Sequence, residues 1–140
     1  MIAIDSNILI DFIGNDPVAG DAADLALRRA LASGPVVACG VVVAEVVSGL
    51  GHGSVVMDAL EELGIVFSPL ELRSAVRAGE MQRRYVERRR SVSGQAAPPR
   101  VMADFLIGAH ALLQCQGLIT RDAGFFRDYF KGLKVIVPKA

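Results

Sequence analysis

Short apolar runs bounded by turn residues alternate along the chain with longer stretches of helical periodicity. Ile2–Ile4, Val36–Ala38, Ile65–Phe67, Leu118–Thr120 and Lys134–Val137 have the length and β-branched content of strands. Between the first two, Asp16-Pro17 marks a helix start: the carboxylate accepts from the first unpaired amides, and proline fits a position whose N–H has no helical partner. That helix is expected to run to Ser33 and stop at Gly34-Pro35. Further helices are expected over Ser54–Leu63, from about Leu70 to Arg90, and over Val101–Gln116, the first and last closed by Gly64 and Gly117. Val41–Leu50 reads both ways. Its valines favour a strand, whereas Gly40 and Gly49 at its ends suit a short buried helix. Short strands separated by helices imply an α/β fold: one domain over residues 1–140 with a central, mostly parallel five-stranded sheet flanked by helices. Ser91–Pro99 is the one loop of linker character and is expected to act as a flap.

Four carboxylates break the apolar pattern. Asp5 follows Met1-Ile2-Ala3-Ile4, Glu45 interrupts a run of valines, Asp104 opens Phe105-Leu106-Ile107, and Asp122 comes just after Leu118-Ile119-Thr120. Gathering partly buried carboxylates without a counter-charge costs several kcal/mol or forces some to protonate. A divalent cation removes that cost. With no histidine or cysteine in the set, the donors are hard oxygens, suited to Mg²⁺ or Mn²⁺ rather than zinc. Parallel sheets place ligands at the carboxyl ends of their strands, where Asp5 and Asp122 fall. Taken singly, an Asp after a strand or before an apolar run also reads as a helix cap, so Asp5, Asp104 and Asp122 keep that second interpretation. Glu45 has no such alternative.

Charge changes the picture further. The net charge is zero, yet Arg73 to Arg100 holds eight arginines against Glu80 and Glu87, a local +6 that leaves −6 elsewhere. A basic stretch beside an acidic pocket suits a metal-dependent nuclease, with Arg83, Arg84, Arg88 and Arg89 as candidates for the backbone phosphates of a nucleic acid. The same residues also read as a solvated helix with pairs such as Glu80–Arg84 and Glu87–Arg90. The chain is 52% hydrophobic, more than one small domain has to bury, so assembly with another chain is expected. Cys39 and Cys115 have neither metal-ligand spacing nor a disulfide framework. The first apolar run ends at Asp5 without a basic leader, and the longest, Val36–Ala44, is too short for a bilayer. A cytoplasmic protein without membrane association is expected.

Asp5-Ser6-Asn7, Glu45, Asp104 and Thr120-Arg121-Asp122, followed by Gly124-Phe125-Phe126, resemble in order and spacing the acidic signature of the PIN domain, particularly VapC toxins of bacterial toxin–antitoxin operons. The resemblance covers the whole chain. It implies that Asp5, Glu45, Asp104 and Asp122 bind Mg²⁺ or Mn²⁺ and are catalytic, with Asn7 and Thr120 orienting them. It further implies endonucleolytic hydrolysis of RNA leaving a 5′-phosphate and a 3′-hydroxyl, a VapB-type antitoxin as partner, and a homodimer.

Two other readings stay open. A haloacid-dehalogenase-type phosphatase also begins with a strand and an Asp but needs a second Asp two residues on, where this chain has Asn7. A PIN-like module would hold RNA or protein without turnover, although that gives no reason to keep costly acids. His52 and His110 read as structural, Asp11 as solvent-exposed and Asp128 as part of a surface helix. Gly49, Gly51 and Gly53 match no phosphate-binding spacing.

Overall fold

The computed structural model describes residues 1–92 and 99–139. The strands are β1 (Ile2–Ile4), β2 (Val36–Ala38), β3 (Val66–Phe67), β4 (Gly117–Ile119) and β5 (Lys134–Ile136). Among the described residues the helices are α1 (Ser6–Ile13), α2 (Pro17–Ser33), α3 (Gly40–Leu50), α4 (Gly53–Leu63), α5 (Leu72–Arg90), α6 (Met102–Gln114) and α7 (Ala123–Tyr129). The strands form one sheet in the order β3-β2-β1-β4-β5, and every pairing is parallel, so the sheet is wholly rather than mostly parallel. Consecutive residues of a strand face opposite sides. Since every residue of β2 and β4 is buried, both faces of the sheet are covered.

The chain builds outward from β1 through β2 to β3, returns to the other side of β1 as β4, and then forms β5. The reversal lies between β1 and β4. At such a switch point the connections leave in opposite directions and open a crevice beyond the strands' carboxyl ends.

Strand and helix bounds agree with the sequence pattern to within about two residues. Asp16 caps α2 through bonds from Val18 N and Ala19 N at 3.0 and 3.2 Å, with Pro17 at the first helical position. The ambiguous valine-rich stretch is helical. Val42 and Val46, four residues apart, bury one side while Ala44 and Ser48 face solvent, and Gly51 closes the helix with φ 80°. Burying that stripe outweighs the few tenths of a kcal/mol by which each valine disfavours a helix. The sequence pattern assigns no element to Ser6–Ile13. This eight-residue helix is too short to be stable by propensity and is held by burial of Ile8 and Leu9. Most of the expected flap, residues 93–98, lies outside the described residues.

One core joins the sheet to Leu9, Leu27, Val46, Phe105 and Phe126. α6 packs on α5 and also touches β1 and β4. Gly108 on α6 sets the distance to Phe130: a Cβ added there would collide with the Phe130 ring, which is fully buried. We expect Gly108→Ala to destabilise the fold by about 1–3 kcal/mol through overpacking, read as a lower urea midpoint with unchanged slope. Wild-type stability in that variant would show that the Phe130 ring has room to move.

Candidate functional site

The crevice at the switch point is where the four acids gather. Asp5 directly follows β1, and Thr120-Arg121-Asp122 directly follows β4, its neighbour in the sheet. Glu45 comes from the middle of α3, which starts just after β2, and Asp104 from the first turn of α6. Strand ends and helix starts therefore supply these groups from four separate elements.

Asp5 is the most constrained. It is 7% exposed and accepts from Ser6 N at 2.7 Å, from the Thr120 hydroxyl at 2.7 Å and from the Asn7 amide at 3.3 Å. Its own N–H bonds Ile119 O at 2.9 Å, which prolongs the β1–β4 pairing by one residue. It caps α1, the first of the two interpretations of an Asp after a strand. Thr120 Oγ1 also accepts from Asp122 N at 2.9 Å, and Asn7 Oδ1 accepts from Arg121 N at 3.3 Å. Thr120 and Asn7 thus brace the loops after β1 and β4 against each other. Ser6, part of the acidic motif but assigned no task from sequence, donates to Glu45 Oε1 at 2.5 Å and ties α3 to the start of α1.

Burial, with the neighbouring charges of Asp104 and Glu45 adding to it, raises the Asp5 carboxyl from 3.8 to about 6 despite the bonds from Thr120 and Ser6. Burial also raises Asp104, opposed by the adjacent Arg100. Arg100 is the group that sequence reasoning left out of the site. Both its terminal nitrogens engage Asp122, with Nη2 to Oδ1 at 3.3 Å, and Nη1 lies 3.9 Å from Asp104 Oδ2. Its backbone N–H donates to the Tyr85 hydroxyl at 2.8 Å, and its guanidinium lies 4.4 Å from the centre of the Phe125 ring. Its position four residues before Asp104 was the available signal.

The oxygen donors suit a hard divalent cation in kind. As the side chains stand, no three acid, histidine or cysteine groups among the described residues converge on one ion position. Ser6 holds Glu45, and Arg100 holds Asp122 with Asp104 alongside. For these acids to share an ion, Asp104 and Asp122 have to turn from Arg100.

The basic helix divides. Arg83 pairs with Glu87 at 3.1 Å and Arg77 lies 3.8 Å from Glu80, in place of the expected Glu80–Arg84 and Glu87–Arg90 pairs. Arg84 lines a hollow with Arg77, Met81 and Leu112 that shares Arg88, Asp128 and Tyr129 with its neighbour. Arg88 and Arg89 line a cavity together with Arg100. Asp11, expected in solvent, is mostly covered because Arg121 lies across it at 2.6 Å. His110 is buried 2.9 Å from Ser68 Oγ, with burial lowering its pKa, and His52 is an exposed residue at the start of α4. No described helix is long and apolar enough to cross a membrane.

The fold has known relatives. The model of the PIN domain matches residues 2–131, and the chain belongs to the PIN domain family. The fold is similar to that of VapBC2 from Rickettsia felis, solved bound to a DNA fragment from its promoter, with a TM-score of 0.72, 19% identity and coverage of 99% and 100% of the two chains. It is also similar to Mycobacterium tuberculosis VapC20, described as a Sarcin-Ricin loop cleaving toxin, with a TM-score of 0.64, 18% identity and coverage of 96% and 99%. A third likeness is to VapBC-1 from nontypeable Haemophilus influenzae, with a TM-score of 0.66, 21% identity and 96% of each chain covered. No curated protein sequence matches the chain.

The Asp5 titration makes a stability prediction. As pH rises, the unfolded chain loses the proton near 3.8 and the folded chain near 6, so this group's contribution is full below about pH 4 and declines until about pH 6. In EDTA, Asp5→Asn should therefore be more stable than the wild type at about pH 8, by about 2–3 kcal/mol at most, and should lose that advantage at about pH 4. A difference in urea unfolding free energy that does not vary with pH would place the cost elsewhere.

Proposed function

We propose that the chain is a metal-dependent endoribonuclease acting as the toxin of a VapBC-type toxin–antitoxin pair. The observation that carries this reading is the gathering of acids from four elements around buried Asp5, at the switch point of a PIN-domain sheet. Asp5, Asp104 and Asp122 are the proposed ligands of Mg²⁺ or Mn²⁺, with Glu45 at the second side of the crevice. When bound, the ion lowers the pKa of a water and polarises a phosphoryl oxygen.

The chain's own residues do the positioning. Ser6 N and the Thr120 hydroxyl hold Asp5 in one rotamer, and the Asn7 amide reaches the same carboxylate. Glu45, steadied by the Ser6 hydroxyl, orients the attacking water. Arginines at the end of α5 take the phosphates of the strand. Asn7 sits where a haloacid-dehalogenase-type phosphatase needs a carboxyl acid/base, and its amide cannot exchange a proton there, so that reading lapses along with its family.

The VapBC complexes among the similar structures support a VapB-type antitoxin as partner. Homodimerisation is part of the proposal. Val55, Met57, Val66, Phe67, Leu72 and Val76 are exposed along α4, the edge strand β3 and the start of α5, more apolar surface than scattered exceptions explain. A cytoplasmic location completes it.

The second reading, an RNA- or protein-binding PIN module without turnover, is favoured by one observation: Arg100 occupies Asp122 and approaches Asp104. Total cellular RNA incubated with the protein and Mg²⁺ or Mn²⁺ separates the two. The nuclease cuts at a few sites, leaves 5′-phosphates, and loses activity in EDTA and in Asp5→Ala, whose circular dichroism stays native. Retained cleavage in Asp5→Ala would falsify the site. Absence of both cleavage and calorimetric Mn²⁺ binding would favour the binding module. Light scattering at micromolar concentration should give a dimer mass; a monomer mass would remove that part of the proposal.

A further inference from the structure

α1 grips the loop after β4 at two places, one helical turn apart. Asn7 Oδ1 accepts from Arg121 N at 3.3 Å. The Asp11 carboxylate takes the Arg121 guanidinium as a fork, Nε to Oδ2 at 2.6 Å and Nη2 to Oδ1 at 3.3 Å. Asn7 and Asp11 are four residues apart and so lie on one face of the helix. Arg121 stands between two residues of the acidic crevice: the Thr120 hydroxyl donates to Asp5, and Asp122 N donates to Thr120.

Asp122 is not fixed by its own helix. It stands at the start of α7, yet among the described residues its carboxylate takes no cap bond. Asp5 is fixed differently, by direct bonds from Ser6 N and the Thr120 hydroxyl. The direction in which Asp122 presents its carboxylate is therefore set by the loop backbone that carries it and by Arg100. The Asn7 bond is long for an N–H···O contact and gives that backbone a weak hold. The fork on Asp11 gives a stronger one, since its Nε bond is short and charge-assisted and the second bond fixes the plane. This pair also differs from those on the open surface. Asp24 and Arg28 pair within one helix, with side chains 36% and 70% exposed. The Asp11 side chain is 12% exposed beneath Arg121, and salt screens such a covered pair less.

We propose that Asp11 and Arg121 are positioning residues of the acidic site: their ion pair clamps the loop Thr120–Asp122 to α1 and fixes where Asp122 presents its carboxylate. They act through Asp122 and not on substrate. What Asp122 does rests on the ribonuclease reading; where it sits rests on the clamp.

Charge gives the test its direction. Removing an acid near a cation site weakens cation binding, and removing an arginine strengthens it. A clamp predicts loss from both. Mn²⁺ affinity, measured by calorimetry without RNA, should fall on the order of 10-fold in Asp11→Asn and in Arg121→Gln, the low end of what losing an outer-shell partner costs. The double variant should lose no more than either single one, because each breaks the same pair. Arg121→Lys keeps the charge without the fork; it should also lose affinity, and it carries the test if a neutral variant does not fold. Asp24→Asn makes the same charge change on α2 and should bind Mn²⁺ as the wild type does. Amide exchange in EDTA is a second readout, independent of the metal. Exchange at Arg121 and Asp122 should quicken several-fold in both single variants and stay unchanged in Asp24→Asn. Tighter Mn²⁺ binding in Arg121→Gln, additive losses in the double variant, or unchanged exchange at both amides overturns the clamp. A wild type that neither binds Mn²⁺ nor cuts RNA removes the nuclease reading, and the exchange rates still decide the clamp. Metal-dependent cleavage with unchanged exchange does the reverse.

Discussion

The hydroxyl of Thr120 connects the two halves of the molecule at the point where they have to meet. It donates to Asp5 beyond the end of β1 and accepts from Asp122 N beyond the end of β4. Both strands are apolar and parallel, and their pairing alone would not determine how the polar residues after them are arranged. A buried bond to a charged group contributes about 1.5–3 kcal/mol, and leaving that group unpaired costs a comparable amount. Valine, nearly the same shape, would fill the space but take the acceptor from Asp122 N and leave Asp5 with only Ser6 N and the Asn7 amide. The side chain matters less for packing than for joining two loops that are far apart in sequence.

Arg100 deals with the second constraint, an excess of negative charge in a partly buried crevice. A chain that relied wholly on a bound ion would have to place several carboxylates close together while empty. Here burial lifts Asp5 toward neutrality, and a cation from the chain itself lies against Asp122 and near Asp104. That cation is held in turn by Tyr85 through its backbone and by Phe125 through its face, so the aromatic cluster of α5, α6 and α7 also fixes the electrostatics of the acids.

Much of this was legible in the sequence. Short β-branched runs punctuated by helix patterns specify a parallel sheet, and Asp16-Pro17 and Gly64 mark helix ends by local chemistry alone. Acids inside apolar runs stand out because nothing in the neighbouring sequence solvates them. Other parts depended on tertiary context. α1 is too short for periodicity to declare it, and the valines of α3 turn helical only because a core is there to receive Val42 and Val46. Asp11 looks solvent-facing until Arg121, 110 residues away, closes over it. Arg100 was visible as charge but not as part of the site, because its partner Asp122 arrives only through the return of β4. Ser6 stood within the motif without a task, since a hydroxyl pairing with Glu45 needs α3 folded back beside α1.

The central position of β1 has a consequence for timing. One of its two sheet neighbours, β4, is separated from it by 115 residues and leaves the ribosome long after it. Half of the central strand's hydrogen bonding, the covering of Asp5 and the meeting of the four acids all wait for that later segment. Pairings so distant in sequence close slowly, because much chain entropy is lost before any contact rewards it. A nascent chain therefore carries Asp5 and Glu45 through the synthesis of everything between β1 and β4 without a crevice to place them in. The order in which the sheet is laid down keeps the assembled site from existing until the fourth strand has been made.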